Sequence, residues 1–226
     1  MPTKAADGRT DQEKRAAAEA AAEFVESGMT VGLGTGSTVA FLLPALAERR
    51  LDIRCVATSP ATEANARSLG LDVVPFDESA PAISQLDVAI DGADQVDPDW
   101  WLIKGGGGAH TREKVVAAAA ARFVVIVSSE KVVERLESPV PVEILAFGAQ
   151  ATLRELQRSV LRPSTPLSPE GGLIADWFGE IRDPAQLASW FDSIAGLVGH
   201  GLFPPEMVSD VIVGRGPSAE RLPGRR

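Results

Sequence analysis

The sequence predicts an α/β protein with a mostly parallel sheet, followed by a smaller part that combines helices with an antiparallel sheet. Short apolar runs that suit buried strands alternate with helical runs over the first 134 residues. Loops rich in Gly, Ser and Asp separate these runs. Pro139 and Pro141 then end the alternation, and a different order of elements follows.

Composition limits the function classes. Hydrophobic residues make up 45% and charged residues 23%, as in ordinary soluble globular proteins. No apolar run approaches the ~20 residues of a spanning helix, and Met1–Thr10 lacks a signal-peptide core, so we expect a cytoplasmic protein without a membrane partner. A net charge of −9 argues against a nucleic-acid partner. Cys55 is the single cysteine and lies in an apolar run, which indicates a buried hydrophobe.

The first elements are predicted from apolar periodicity and glycine stops. A helix over residues 11–27 ends at Gly28. The elements after it are a strand (Met29–Leu33), a helix (Val39–Arg49), a strand (Ile53–Thr58), a helix (Thr58–Gly70) and a strand (Leu71–Pro75).

The turn Gly34-Thr35-Gly36-Ser37-Thr38 joins the first strand to a helix, with Ser37 or Thr38 as the expected N-cap. Free amides at a helix start favour an anion. The turn lacks the Gly-Lys-Ser/Thr ending of a P-loop and the Gly-x-Gly-x-x-Gly spacing, and the strand Ile53–Thr58 ends without an acidic residue. These absences argue against a nucleoside triphosphate and a nicotinamide cofactor. A tight turn without a ligand remains an alternative.

The run Asp91-Gly92-Ala93-Asp94 follows the apolar segment Ser84–Ile90. Two carboxylates beside a glycine at a strand end suit a sugar-binding or catalytic loop. A surface turn held by local Asp hydrogen bonds is the alternative.

The stretch Lys104–Glu113 lies between the apolar run Trp100–Ile103 and the helical run Lys114–Arg122. Four consecutive glycines cost chain entropy and leave the backbone amides open to a small, anionic group. Lys104 can stabilise an oxyanion and Glu113 can move a proton. Alternatively, Glu113 is simply favoured by the dipole of the helix that begins here, with Thr111 as cap.

Lys131 follows the β-branched strand Phe123–Val127, and a solvated charge is the alternative interpretation for it. Each of the four polar loops follows a predicted strand. We therefore expect them at the carboxyl edge of one open sheet, where such sheets bind ligands.

The second part reads as strands and helices of a small α+β domain. Its elements are a strand (Val140–Phe147), a helix (Ala151–Leu161), a strand (Gly172–Phe178), a helix (Pro184–Ile194) and a strand (Leu197–Phe203). The apolar run Val208–Val213 then returns to the first sheet, so the larger domain is predicted to be discontinuous. The basic segment Arg221–Arg226 is expected to be a solvated end.

Four motifs together resemble a family, the type A ribose-5-phosphate isomerases. They are Gly-Leu-Gly-Thr-Gly-Ser-Thr (32–38), Asp-Gly-Ala-Asp (91–94), Lys-Gly-Gly-Gly-Gly-Ala-x-Thr-Arg-Glu-Lys (104–114) and Pro-Val-Glu (141–143). The resemblance covers nearly the whole chain from about residue 11. It implies interconversion of ribose 5-phosphate and ribulose 5-phosphate without a metal or organic cofactor, and a homo-oligomer, with a dimer favoured. It also implies a Rossmann-like domain (1–134 and 207–226) with a ferredoxin-like lid domain (135–206).

The resemblance assigns roles to residues. It places the proton-transferring carboxylate at Glu113. For the mechanism we expect Lys104 and the glycine amides to stabilise the enediolate, and Asp91 and Asp94 to orient sugar hydroxyls and assist ring opening. The substrate positions that it implies are Thr35, Gly36, Ser37, Thr38, Asp91, Gly92, Ala93, Asp94, Lys104, Gly105, Gly106, Gly107 and Lys131.

The chain departs from the family at His110, where relatives often carry an apolar residue, and in the proline-rich segment Pro163–Gly172. We expect His110 to be a partly exposed residue at a helix start. Two other functions stay open: an isomerase or lactone hydrolase of another sugar phosphate, and a sugar-phosphate sensor without turnover. The chain shows no predicted DNA-binding helix pair.

Overall fold

The structure is a computed structural model that describes residues 4–76, 83–163 and 165–223. These residues form two compact units. The first unit takes the described parts of Met1–Gly92, Val115–Val132 and Glu206–Arg226, and the second takes those of Ala93–Lys114 and Val133–Pro205. The second unit therefore includes the glycine stretch, which the sequence analysis assigned to the larger domain.

The helices are α1 (Lys4–Ala22), α2 (Val39–Glu48), α3 (Pro60–Ser68), α4 (His110–Ala119), α5 (Ala149–Leu156) and α6 (Pro184–Asp192). The strands of the first unit are β1 (Thr30–Leu33), β2 (Arg54–Ala57), β3 (Asp72–Val73), β4 (Val88–Asp91), β7 (Phe123–Ser128), β13 (Asp210–Arg215) and β14 (Ser218–Pro223). Those of the second unit are β5 (Gln95–Val96), β6 (Leu102–Ile103), β8 (Val140–Ile144), β9 (Ser159–Leu161), β10 (Leu173–Trp177), β11 (Leu197–His200) and β12 (Leu202–Phe203).

The first unit is built on a seven-stranded sheet in the order β14-β13-β7-β4-β1-β2-β3. Every pairing in it is parallel except that of β13 with β14. Its central strands are fully buried apolar runs, as in β7, because parallel strands are covered on both faces. Helix α1 packs against β7, β13 and α2. The predicted α/β class is confirmed, and β13 returns to this sheet as expected.

The second unit contains a four-stranded antiparallel sheet, β11-β8-β10-β9, and a three-stranded antiparallel sheet, β12-β6-β5. Side chains of β8, β10, α5 and α6 share one core cluster that contains Val142, Leu156, Trp177 and Phe191. The strand before the glycine stretch is thus β6 in an antiparallel sheet. The expectation that all four polar loops follow strands of one parallel sheet is therefore wrong for Lys104.

Three further boundaries differ from the sequence prediction. The helix predicted to end at Leu161 ends at Leu156, since Gln157 and Arg158 both adopt positive φ and the chain turns into β9. The run Leu197–Phe203 divides at Gly201 into β11 and β12. The segment predicted as a solvated end begins within β14, where Arg221 Nε donates to Asp210 Oδ1 at 2.9 Å, and residues 224–226 lie outside the described residues.

None of the helices in the described ranges combines the length and the apolar character that crossing a membrane requires. Cys55 is a fully buried strand residue, as predicted.

Candidate active site

In the first unit, Asp91 organises the loop after β1. Asp91 is the last residue of β4 and is 3% exposed. Its Oδ1 accepts hydrogen bonds from the backbone N–H of Thr35 at 3.0 Å and of Gly92 at 2.7 Å. A Cβ on Gly34 would overlap this carboxylate. Gly34 is therefore required by the close approach of two parallel strands at their carboxyl ends.

The side chain of Thr35 faces the interior of the first unit. Its hydroxyl lies 2.8 Å from the Thr58 hydroxyl and 3.2 Å from that of Thr62. Gly36, at φ +126°, and Ser37 are exposed. Thr38 stands before α2, but its backbone is already helical and its side chain makes no capping hydrogen bond, so the predicted capping role is wrong. The loop thus presents Gly36 and Ser37 outward, while Thr35 fixes it from inside.

In the second unit, Lys104 and Glu113 form a buried ion pair. Lys104 Nζ lies 3.2 Å from Glu113 Oε2, and the side chains are 2% and 4% exposed. The N–H of Lys104 donates to the Gly201 carbonyl at 2.8 Å, and its ammonium lies 5.5 Å from the ring centroid of Phe203. A buried cation beside a carboxylate, with an aromatic face nearby, keeps both charges compensated away from water.

The glycine run after Lys104 is shaped by contacts that exclude side chains. Gly105 and Gly108 adopt φ +99° and +73°, which favour glycine. Gly106 N–H donates to Asp94 Oδ2 at 2.8 Å, and a Cβ on Gly106 would lie 2.7 Å from Asp94 Oδ1. A Cβ on Gly105 would lie 2.7 Å from His110 Nδ1. Asp94, Gly106 and Gly107 are partly or fully exposed, so this part of the loop can meet a ligand.

Helix α4 begins at His110, earlier than predicted, and places Glu113 in its first turn. The N–H of Glu113 donates to the Ala109 carbonyl at 2.9 Å. Thr111 is not the cap: its Oγ1 donates to Glu143 Oε2 at 2.5 Å. Glu143 is buried and also accepts from Ser168 Oγ. The Glu of the Pro-Val-Glu motif therefore holds the first turn of α4.

The structure contradicts the expectation of a partly exposed His110, which is fully buried. Burial, and next the charge of Lys114, lower the pKa of His110 to about 3. The ring occupies the space that glycine leaves at position 105. His110 is thus a neutral packing residue at the helix start. Because histidine is a polar residue, the sequence did not indicate this burial.

A second buried histidine, His200, belongs to a cluster that the sequence did not reveal. Its Nδ1 accepts from the Leu202 N–H at 3.2 Å, and its Nε2 lies 3.2 Å from Asp192 Oδ1. Burial, and then Lys114, lower its pKa to about 3. The Lys114 ammonium lies 5.0 Å from the Phe203 centroid, and burial lowers its pKa to about 8. No sequence pattern joins these positions.

Lys131 ends a 3₁₀ turn, Ser129–Lys131, that follows β7. Its ammonium lies 3.9 Å from Glu130 Oε1, and both side chains are substantially exposed. Such a pair contributes little to stability, which leaves Lys131 accessible to a ligand. The sequence missed Glu13, whose Oε2 accepts from Ser129 N–H at 2.9 Å and Ser129 Oγ at 2.7 Å and so anchors this turn.

The predicted site residues thus fall into two groups. Within the first unit, Thr35, Asp91 and Gly92 are joined by hydrogen bonds. Within the second unit, Asp94 contacts the glycine run and Lys104 contacts Glu113. No cluster of His, Cys, Asp and Glu side chains suited to a metal ion occurs in residues 4–76, 83–163 and 165–223.

Comparison with known families gives one long match and one short one. The family model described as ribose 5-phosphate isomerase A (phosphoriboisomerase A) matches residues 54–217. The model of the DeoR C terminal sensor domain matches residues 9–71.

Individual proteins agree with the long match. Ribose-5-phosphate isomerase A of Lacticaseibacillus paracasei is 41% identical, over 94% of this chain and 97% of that protein. The crystal structure of ribose 5 phosphate isomerase A from Neisseria gonorrhoeae superposes with a TM-score of 0.89 at 34% identity, covering 96% of this chain and 98% of that one. A D-ribose-5-phosphate isomerase in complex with phospho-erythronic acid has a TM-score of 0.86 at 33% identity, covering 93% and 97%.

The long family match, the identity over nearly the full length of a relative and the shared fold agree with the motif resemblance. This chain therefore belongs to the ribose 5-phosphate isomerase A family.

Proposed function

We propose that this chain interconverts ribose 5-phosphate and ribulose 5-phosphate by proton transfer through an enediolate. The observation that carries this function is the buried Lys104–Glu113 pair beside a bare glycine run, in a chain of this family. One group can transfer a proton and the other can stabilise negative charge.

Glu113 is the base. In the open-chain aldose it takes the proton from C2, the C–H electron pair becomes the C1–C2 double bond, and the C1 carbonyl oxygen becomes an oxyanion. Return of the proton to C1, with transfer of the O2 proton to O1, gives the ketose. Glu113 lies in the first turn of α4, which fixes its backbone, and its Oε2 lies 3.2 Å from Lys104 Nζ.

Lys104 and the amides of Gly105, Gly106 and Gly107 stabilise the enediolate oxygens. The ammonium of Lys104 is buried and acts strongly on developing charge, because little water screens it. Glycine permits this approach, since no side chain covers the amides.

The remaining polar positions bind the substrate. Asp91 and Asp94 orient sugar hydroxyls and assist ring opening, and Ser37, Thr38 and Lys131 anchor the phosphate. Exposure of Ser37 and of Lys131 supports this role for them. The backbone at Thr35, Gly36, Gly92 and Ala93 completes the substrate loops.

The resemblance to the family also implies a location, a pathway, an oligomeric state and a role for each domain. The chain acts in the cytoplasm, in the non-oxidative branch of the pentose phosphate pathway, as a homodimer. Residues 1–134 and 207–226 form the catalytic domain, and residues 135–206 form a lid that limits loss of phosphate from the enediolate by excluding water. The reaction uses no cofactor.

A sugar-phosphate sensor is the second candidate, because a sensor-domain model matches residues 9–71. That match ends before Lys104 and Glu113, so it does not include the residues proposed for proton transfer. The same fold can bind without turnover, and only chemistry separates the two functions.

Proton NMR of ribose 5-phosphate with metal-free protein in deuterated water tests the function. Ketose formation with deuterium at C2 of the aldose is expected, whereas binding without exchange would favour the sensor. Glu113→Gln should lower kcat on the order of 10² to 10⁴-fold with little change in KM. Glu180→Gln is the matched control, since Glu180 pairs with Arg182 on the surface of the second unit. Near-normal turnover of Glu113→Gln would reject Glu113 as the base.

A further inference from the structure

The side chain of Arg162 contacts the backbone of the glycine run. It follows β9, and its backbone N–H donates to the Ile174 carbonyl at 3.0 Å. Its Nη1 donates to the carbonyl oxygens of Gly105 at 3.0 Å and Gly106 at 2.9 Å. One guanidinium nitrogen therefore holds two consecutive peptide groups.

The other side of the guanidinium is fixed by Asp176 in β10. Arg162 Nε and Nη2 donate to Asp176 Oδ2 and Oδ1 at 2.8 and 2.7 Å, a bidentate pair with side chains that are 17% and 18% exposed. This geometry restricts the rotation of the guanidinium. The Asp176 carboxylate also compensates the charge of the guanidinium, so Arg162 is suited to orient the glycine carbonyls rather than to anchor a phosphate.

Orientation of the carbonyls determines orientation of the amides. In a trans peptide the C=O of one residue and the N–H of the next point in opposite directions. Holding the carbonyls of Gly105 and Gly106 therefore turns the N–H groups of Gly106 and Gly107 away from Arg162. The first of these donates to Asp94 Oδ2 at 2.8 Å, in agreement with this geometry.

The glycine run needs such an external restraint. Glycine has the largest choice of backbone conformations, so four in succession do not by themselves hold amides in a fixed direction. Stabilisation of an oxyanion depends on donors that are already oriented before the charge develops. Two carbonyl contacts from a residue about 56 positions away supply the restraint that the local sequence lacks.

We propose that Arg162, fixed by Asp176, is a positioning residue that aligns the Gly106 amide with Asp94 and orients the Gly107 amide toward the enediolate oxygens. This inference rests on the proposed function and deepens it. It assigns to Arg162 an effect on the transition state and little effect on the bound sugar phosphate.

The test compares turnover with the binding of two ligands. Arg162→Ala should lower kcat about 10- to 100-fold, the loss expected when donors are misoriented, and should change KM for ribose 5-phosphate less than threefold. Phospho-erythronic acid, whose carboxylate resembles the enediolate oxygens, should bind more weakly by a factor similar to the loss in kcat. Millimolar guanidinium should restore part of the kcat of Arg162→Ala.

Two variants complete the design. Arg182→Ala is the control, since Arg182 is 83% exposed and pairs only at the surface with Glu180. Arg162→Lys carries the test if Arg162→Ala does not fold: a lysine keeps the charge but cannot bridge Asp176 and two carbonyls, so the same loss of kcat is expected.

Four results would overturn the inference: unchanged kcat in Arg162→Ala, a loss confined to KM, equal weakening of both ligands, or full activity in Arg162→Lys. A parent protein that shows no C2 exchange would instead refute the proposed function itself. The two failures are therefore distinguishable.

Discussion

A shift from pH 7 to pH 5 should lower the free energy of unfolding by about 4 kcal/mol, through two buried histidines. Burial, and then the charge of Lys114, lower the pKa of both His110 and His200 to about 3. Arg162 adds to the effect on His110, and Asp192, which faces His200, is 72% exposed. The pKa of Lys114 is about 8, so the lysine that acts on both histidines stays largely charged between pH 7 and pH 5.

The sign and size follow from proton uptake. An unfolded histidine has a pKa of about 6.5, so at pH 5 it is protonated, while the folded residue is neutral down to about pH 3. The unfolded state binds more protons in this window, and stability therefore falls as the pH drops below 6.5. At pH 5, about 1.5 units below the unfolded value, each histidine accounts for about 2 kcal/mol.

Urea unfolding at pH 7 and pH 5, at one protein concentration, measures the loss. His110→Leu and His200→Asn should each reduce the difference between the two pH values by about 2 kcal/mol, and the double variant should nearly abolish it. Asn is chosen at 200 because its side-chain oxygen can accept from the Leu202 N–H as Nδ1 does. Single variants that show the full pH dependence of the parent would refute the reasoning.

Three more predictions concern single residues. Lys114→Met should raise the free energy of unfolding at pH 7 by up to about 3 kcal/mol. In the parent protein the free energy of unfolding should rise between pH 8 and 10.5, where only the unfolded lysine is charged, and Lys114→Met should remove this rise. Urea unfolding from pH 7 to 10.5 measures both effects. Gly34→Ala, which overlaps Asp91, should cost about 1–3 kcal/mol and lower kcat, whereas Gly8→Ala in α1, with open space around it, should not destabilise in the same assays. Cys55 should react with iodoacetamide only after unfolding, because burial raises its pKa to about 12.

Local pattern was sufficient where a strand is a continuous apolar run. The runs that became β1 and β7 are short and apolar, and β7 is β-branched, so their existence, their burial and the loops after them could be predicted. The helical run after the glycines likewise placed Glu113 in the first turn of a helix, as the structure has it.

Pairing partners could not be predicted in the same way. Strand β6 has two residues and pairs with β12, about 100 positions later in the chain, so no local signal indicated an antiparallel sheet before Lys104. Strand β14 pairs with β13, but the basic residues from Arg221 onward indicated a solvated end in the sequence. The surroundings of His110 also include residues far along the chain, since Gly199 and His200 both act on its pKa.

The glycine run shows how sequence and packing explain the same feature at different levels. The sequence suggests that glycines bare the amides for a ligand, but freedom alone would leave those amides without a fixed direction. In the structure, Asp94 and His110 exclude a Cβ at Gly106 and Gly105, and Arg162 holds their carbonyls. Glycine is thus needed because neighbours approach closely, and the same neighbours remove the freedom that glycine brings. Close neighbours and glycine together orient the amides in advance, and the four glycines alone do not predict this orientation.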